Sequence, residues 1–311
     1  MELRHFRYFL AVAEELHFTR AAARLGISQP PLSQQIKQLE TEIGTALFRR
    51  LPNGVALTEA GERLLQDARV LLRQAEQSVE NTRRAARGEW GVIRIGFTSS
   101  ASFHPFVTGA IRDYRLAYPD VRLELIEGHT VYLLSLFESG QLTAAFIRPV
   151  PGEAAGLVEL PLFREEMLVA LPADHALAAR PRVALAALAE ETFILYPRRN
   201  GRALYDDIVG ACQAAGFNPR VGQEAPQMGS TITLVASGIG ISIVPASMIY
   251  LATPGVTYRP IDGAAPRAPM SLVHVDVASS AVARAFVAVV RSHLRRAVSI
   301  TLHDTPSSRT S

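Results

Sequence analysis

Residues 18–54 read FTRAAARLGISQPPLSQQIKQLETEIGTALFRRLPNG, and three elements can be taken from that stretch. Phe18 to Leu25 forms a short helix, with Thr19 as its N-cap and Ala21, Ala22 and Leu25 facing inward; it stops at Gly26. A second helix opens at Ser28 and runs to about Glu42, where Leu32, Ile36, Leu39 and Ile43 make one apolar stripe. Beyond it, Leu47 to Leu57 gives two short strands around Asn53-Gly54, a dipeptide suited to a two-residue type I′ turn. The order is that of a winged helix-turn-helix.

The polar residues at the start and on the outer face of the second helix are Gln29, Ser33, Gln34, Lys37 and Gln38, a set of donors and acceptors with one cation and no carboxylate. Such a face suits base edges and phosphates. Pro30 and Pro31 fall in the first turn, where a missing N–H costs little and the fixed φ favours helix entry. They also remove backbone donors, so Gln29 and Ser33 must grip a phosphate through their side chains. Arg49 and Arg50 stand on or beside the wing, where guanidinium groups can reach a backbone or a minor groove. Taken alone, a basic pair on a hairpin is equally well a solvated one.

Leu3 to Gly61 resembles the DNA-binding region of LysR-type transcriptional regulators. The resemblance rests on Phe18-Thr19-Arg20-Ala21-Ala22, Ser28-Gln29-Pro30-Pro31-Leu32-Ser33, Leu47-Phe48-Arg49-Arg50 and Leu57-Thr58-Glu59-Ala60-Gly61, in the family's order and spacing. It implies that Gln29, Pro30, Ser33 and Gln34 meet bases or backbone in the major groove, with Thr19, Pro31 and Lys37 beside them, while the wing approaches the minor groove. Many members carry an arginine near the wing tip where this chain has Asn53, a place that Arg49 or Arg50 fills only in part. The implied architecture is α/β: a DNA-binding domain over 1–58, a linker helix and hinge over 59–90, and an effector-binding domain over 91–311. That domain would hold two subdomains like those of periplasmic binding proteins, the first from 91–160 and 268–300, the second from 161–267, with a small molecule in the cleft between them.

Residues 58–88 read as one long helix in which Leu65, Ala68, Leu72, Ala75, Val79, Thr82 and Ala86 recur at spacings of three and four, a heptad seam. The stripe is covered either by its own domain or by a second copy, and a second copy makes a homodimer. Two-fold symmetry then presents two reading helices to a pseudo-palindromic operator of double-stranded DNA. The family resemblance adds pairing of dimers into a homotetramer and contact with RNA polymerase.

After Gly91 strands alternate with helices, which predicts mostly parallel sheet covered on both faces. Strands are expected over 92–97, 121–127, 143–147, 166–171, 192–196, 240–244 and 270–275, and helices over 103–118, 201–215, 229–237 and 278–297. The run 303–311 is polar and is expected to fray.

Thr98, Ser99 and Ser100 follow the first strand and precede a helix, where their hydroxyls form either an anion cradle or a plain cap. Thr130 follows the second strand with the same two readings. Arg148 closes the third strand beside Pro149, able to pair with a carboxylate ligand or with an acidic residue of its own domain. The cationic loop of Tyr196, Pro197, Arg198, Arg199, Asn200, Gly201 and Arg202 is expected opposite, which together points to an anionic effector. This half is similar to regulators of aromatic-compound degradation answering to muconate or related dicarboxylates, through Phe97-Thr98-Ser99-Ser100, Tyr196-Pro197 and the run ISIVPAS over 241–247. The loop 198–201 departs from them.

Composition bounds the alternatives. The chain has 311 residues, 48% of them hydrophobic, enough for two or three domains with real cores. A formal charge of only +3 makes any electrostatic footprint for DNA local. Lys37 is the one lysine, and the single cysteine, Cys212, is expected to be a buried thiol; alone, it excludes the two-cysteine peroxide sensing of some family members. The N-terminus opens on an amphipathic helix without a signal-peptide pattern, and no apolar run spans a bilayer, so a cytoplasmic protein with no membrane partner is expected. His104, His129 and His175 have no sequence partners that make a triad or metal site, so neither catalysis, a metal nor a cofactor is expected. The remaining alternatives are a solute-binding protein or a regulator whose cleft is vestigial.

Overall fold

A computed structural model describes residues 1–303, and its contacts divide the chain into two units, Met1–Arg84 and the part from Ala85 onward. The first unit holds α1 (Leu3–Glu15), α2 (Phe18–Leu25), α3 (Gln29–Ile43), the hairpin β1 (Phe48–Leu51) and β2 (Gly54–Leu57), and most of α4 (Glu59–Arg87). Phe9, Val12, Ala21, Leu32, Leu39 and Leu47 close one core among these elements.

Local chemistry explains the element ends, with three corrections to the sequence reading. The N-cap of α2 is His17, not Thr19: the His17 Nδ1 accepts from the Thr19 N–H at 3.2 Å. Ile43, four residues past Leu39, the last buried residue of its stripe, is 39% exposed. The wing turn is Pro52-Asn53, because Leu51 pairs with Gly54. Proline fixes a negative φ at the first turn position, which excludes the type I′ geometry expected for Asn53-Gly54. Gly54 instead takes φ 146°, where an added Cβ would stand 2.5 Å from the Leu16 carbonyl oxygen. That carbonyl accepts from the Val55 N–H at 3.0 Å, so the wing is seated on the corner between α1 and α2.

The long helix α4 is present, but its seam divides. Ala68 and Leu72 are buried in the unit's own core, and Leu65 packs against it. Val70, Leu71 and Val79 remain exposed. Gly88 ends the helix at φ 76°, and a Cβ there would meet the Ala281 carbonyl oxygen at 2.4 Å.

The second unit runs β3 (Gly91–Phe97), α5 (Ser99–Ser102), α6 (Pro105–Ala117), β4 (Val121–Glu127), α7 (Thr130–Glu138), β5 (Ala144–Ile147), β6 (Val158–Pro172), β7 (Val183–Ala184), β8 (Thr192–Leu195), α8 (Arg202–Ala214), β9 (Arg220–Glu224), α9 (Met228–Ala236), β10 (Ser242–Pro245), β11 (Val256–Asp262), β12 (Arg267–His274) and α10 (Ala281–His303). Short 3₁₀ turns join several of them. The sheet is mixed rather than mostly parallel. β3 pairs in parallel with β4 and β5, whereas β12 pairs antiparallel with β5 and β6, and β10 and β11 pair antiparallel with β6.

The cause is β6, a strand of 15 residues longer than the expected 166–171. Its first part, to Glu166, pairs with β12; from Met167 it pairs with β10 and β11. It thereby joins a core around Ile93, Phe146, Leu272 and Phe286 to another around Val169, Phe193, Ile232 and Val244. Helix α7 escaped the sequence reading because TVYLLSLFE is apolar on nearly every side and gives no clean period. Strands β7, β9 and β11 were also unforeseen; β9 is exposed along its whole length and lacks apolar alternation. Cys212 is buried in the second core, where burial pushes its thiol up to about 11. Of the run expected to fray, 304–311 lies outside the described residues.

Candidate nucleic-acid interface and effector cleft

In the first unit a groove of about 740 Å³ opens between α3 and the wing, lined by Thr19, Gln29, Ser33, Gln34, Lys37 and Arg50. Helix α3 begins with Pro30 and Pro31 inside its first turn, and Leu32, Ile36 and Leu39 pin its inner face, so the polar residues are turned outward as a set. Gln29 Nε2 donates to the Ser33 hydroxyl at 3.0 Å, an exposed pair whose remaining donors and acceptors face solvent. The two prolines are exposed but do not line the groove. Side chains alternate along a strand, so Arg50 shares the groove side with Phe48 while Arg49 points the other way. Neither arginine has an ion-pair partner among the described residues.

Glu40 is the residue the sequence reading missed. One of its oxygens accepts from the backbone N–H of Leu47 at 2.8 Å and of Phe48 at 3.2 Å, tying the wing to the reading helix. A glutamate two turns past Ser33, on the side facing the strands, was the available signal.

In the second unit, Thr98, Ser99, Ser100, Thr130, Arg148 and Gly201 are brought around one cavity of about 30 Å³, joined by Tyr196, Leu204 and Met228. Thr130 and Met228 are the first residues of α7 and α9, and Gly201 is the N-cap of α8, so three helix starts converge there. The Thr98 hydroxyl is buried without a partner, and burial pushes the Tyr196 phenol up to about 12, keeping it a neutral donor. The Ser99 hydroxyl accepts from the Met228 N–H at 3.1 Å, which makes it the cap of α9 across the cleft.

Arg148 takes the second of its two sequence readings. Its guanidinium donates to Glu165 at 2.6 Å, to the Ser100 hydroxyl at 3.1 Å and to the carbonyls of Ala268 and Pro269 at 3.1 and 3.2 Å. The pair is buried, with 4% and 5% of the two side chains exposed. Glu165 also accepts from the Ser247 N–H. Arg148 thus locks strand ends from both cores and has little left for a ligand.

The cationic loop does not face the cavity as expected. Arg198 pairs with Asp206 at 2.7 Å, Arg199 with Glu224 at 3.0 Å and Arg202 with Glu153 at 3.3 Å. Pro197, Arg198, Arg199, Asn200 and Arg202 stay outside the lining; of that loop, Tyr196 and Gly201 reach it, and no arginine does. Glu224 and Glu153 lie 25 and 49 residues from their arginines, too far along the chain for local pattern to show the pairing.

Residues 3–62 match the model of the bacterial regulatory helix-turn-helix protein, lysR family, and residues 86–295 match the LysR substrate binding domain. The chain belongs to the LysR family. The regulator is 40% identical over 265 residues to the HTH-type transcriptional regulator BudR of Raoultella terrigena, covering 85% of this chain and 91% of that one. It is 40% identical over 262 residues to the HTH-type transcriptional regulator AlsR of Bacillus subtilis strain 168, with 84% and 86% covered. Among solved structures, full-length CbnR complexed with its target DNA superposes with a TM-score of 0.83 at 27% identity, covering 94% of this chain and all of that one. The chain is therefore a DNA-binding transcriptional regulator with an effector-binding domain, as the resemblance implied. No helix among the described residues is long and apolar enough to cross a membrane.

Proposed function

We propose that this LysR-family regulator reads its operator as a homodimer through Gln29, Ser33, Gln34 and Lys37, and that a short carboxylate in the effector cleft alters that reading. The observation that carries the effector half is the convergence of Thr98, Ser99, Thr130 and the starts of α7, α8 and α9 on one cavity. Helix starts present free N–H groups and a positive dipole end, which favours an anion. An unpartnered buried Thr98 hydroxyl gives that anion a further contact.

Size selects among carboxylates. The cavity of about 30 Å³ is well below the roughly 150 Å³ of a cavity that takes benzene. This favours a short aliphatic acid over the aromatic or dicarboxylate ligands suggested by the resemblance. Such an acid competes with the Ser99 hydroxyl for the Met228 N–H, so it binds the open and closed clefts differently and can shift their balance. The shift is passed on through pairing of dimers into a tetramer and so to the spacing of reading helices on DNA. The dimer uses Leu71, Ala75, Val79, Thr82 and Ala86 of α4, a line at spacings of four, four, three and four that includes the exposed Leu71 and Val79.

Thermal unfolding of the full chain with acetate, propionate, benzoate and muconate tests the ligand class. A rise in midpoint with the short acids alone is the expected result, and a rise only with benzoate or muconate overturns the size argument. Thr130→Ala and Ser99→Ala should abolish the response while leaving operator affinity in a gel shift unchanged; a response that survives both removes the cleft from the mechanism.

A further inference from the structure

A second concave site lies in the effector unit, away from the cleft residues, where β12 and the start of β6 meet α10. It measures about 330 Å³, and Val158, Val277 and Val287 give it an apolar floor. Arg284, Arg291 and Arg295 line its rim, and among the described residues lining it there is no carboxylate. Arg284 and Arg291 stand two turns apart on one face of α10, and neither has an ion-pair partner among the described residues. Two exposed cations beside an apolar floor are common on protein surfaces and would carry nothing by themselves.

His274 supplies the independent observation. It is 1% exposed, sits at the end of β12 and lines the same groove. Its Nδ1 lies 2.8 Å from the Val275 carbonyl oxygen, which can only accept, so Nδ1 carries a hydrogen. Its Nε2 is buried with no hydrogen-bond partner. An unpaired buried polar atom is costly, and such atoms are few in folded proteins. An oxyanion seated between His274 and the two arginines closes the contact, with one shared proton between an anion oxygen and Nε2, and it offers the guanidinium forks the geometry they match best.

We infer that this groove is a binding site for a phosphate group, separate from the effector cleft, with the valine floor accepting the carbon skeleton of a phosphate monoester. Phosphate is favoured over a carboxylate because two planar guanidinium forks flank one place beside the Nε2 acceptor, and a tetrahedral phosphate monoanion has oxygens for both forks and an O–H to donate to Nε2.

The test is calorimetric titration of the full-length chain with inorganic phosphate and with glycerol 3-phosphate, ionic strength being held constant with chloride. Saturable binding of either anion is expected. Tighter binding of the ester assigns the site to a phosphorylated metabolite, and equal or tighter binding of inorganic phosphate assigns it to the free ion. The double variant Arg284→Ala with Arg291→Ala removes exposed side chains only and should weaken binding at least tenfold; His274→Asn should weaken it as well. Absence of saturable heat with both anions overturns the inference, as does undiminished affinity in the arginine double variant. Loss of phosphate binding in Thr130→Ala would assign the heat to the cleft and overturns it too.

Discussion

Arg148 shows how far a residue's role depends on what it finds. Its donors are divided among Glu165, Ser100 and two carbonyls of β12, in a place where both charges are buried. Removing one partner of such a pair leaves an uncompensated buried charge, at a cost of about 3–5 kcal/mol, whereas replacing both by apolar groups of similar volume is often near neutral. Arg148→Ala is thus expected to lower unfolding stability in chemical denaturation by about that amount, and Arg148→Met with Glu165→Leu to recover most of it. A loss under about 1 kcal/mol in the single variant would show that Glu165 finds another partner. Gly54 is constrained differently: at φ 146° with a carbonyl 2.5 Å from an added Cβ, Gly54→Ala must move the wing off Leu16. The expected result is weaker operator binding with α-helical content retained, read by gel shift and circular dichroism.

At the scale of elements, histidine recurs at helix starts. His17, His104, His129 and His175 each accept a backbone N–H through Nδ1, from Thr19, Phe106, Tyr132 and Leu177. Only a neutral imidazole nitrogen can accept, and a cation at a helix start also opposes the dipole. Burial lowers the His104 and His129 values below the usual 6.5; at His104, Glu165 raises it and Arg148 lowers it as smaller effects. Since the folded state prefers the neutral form, the stabilisation is complete above about pH 6.5 and is lost as pH falls through the depressed folded values. Thermal unfolding should therefore show a falling midpoint from pH 7 toward pH 5, less steep in His104→Asn, whose cap does not titrate; an equal slope in that variant would place the dependence elsewhere. Helix α3 carries its own expectation. Ser33→Ala or Gln29→Ala should cost about 1–3 kcal/mol of operator affinity if the lost contact is to a base edge. Lys37→Ala should reduce the salt dependence of binding by about one unit of slope per half-site if the contact is to phosphate.

For the whole molecule, the proposed dimer rests on the exposed part of α4. Leu71 is 45% and Val79 51% exposed, a line that the first unit's own core leaves uncovered. Leu71→Glu with Val79→Glu should convert the proposed dimer to a monomer in analytical ultracentrifugation and abolish tight operator binding, since one reading helix lacks the second half-site. A double variant that sediments unchanged would move the interface elsewhere. In the proposed mechanism the Met228 N–H, held by Ser99 across the cleft, is the corresponding lever in the effector unit, because whatever replaces that hydroxyl changes the contact between the two cores.

Sequence alone determined the features that depend on neighbours a few residues apart. The apolar periods of α2, α3 and α4, the prolines in the first turn of α3, and the hydroxyl run after β3 are local patterns, and their elements and family followed from them. Even there, one proline moved the wing turn by a residue, because its fixed φ overrides the preference of Asn53-Gly54. Tertiary structure alone decided the rest: that β6 runs on through both cores, that the arginines of 198–202 pair with Asp206, Glu224 and Glu153, and that the acidic partner Arg148 meets is Glu165. A charged side chain in sequence shows what it can pair with, but which partner it meets is set by packing of strands that lie up to 121 residues apart in the chain.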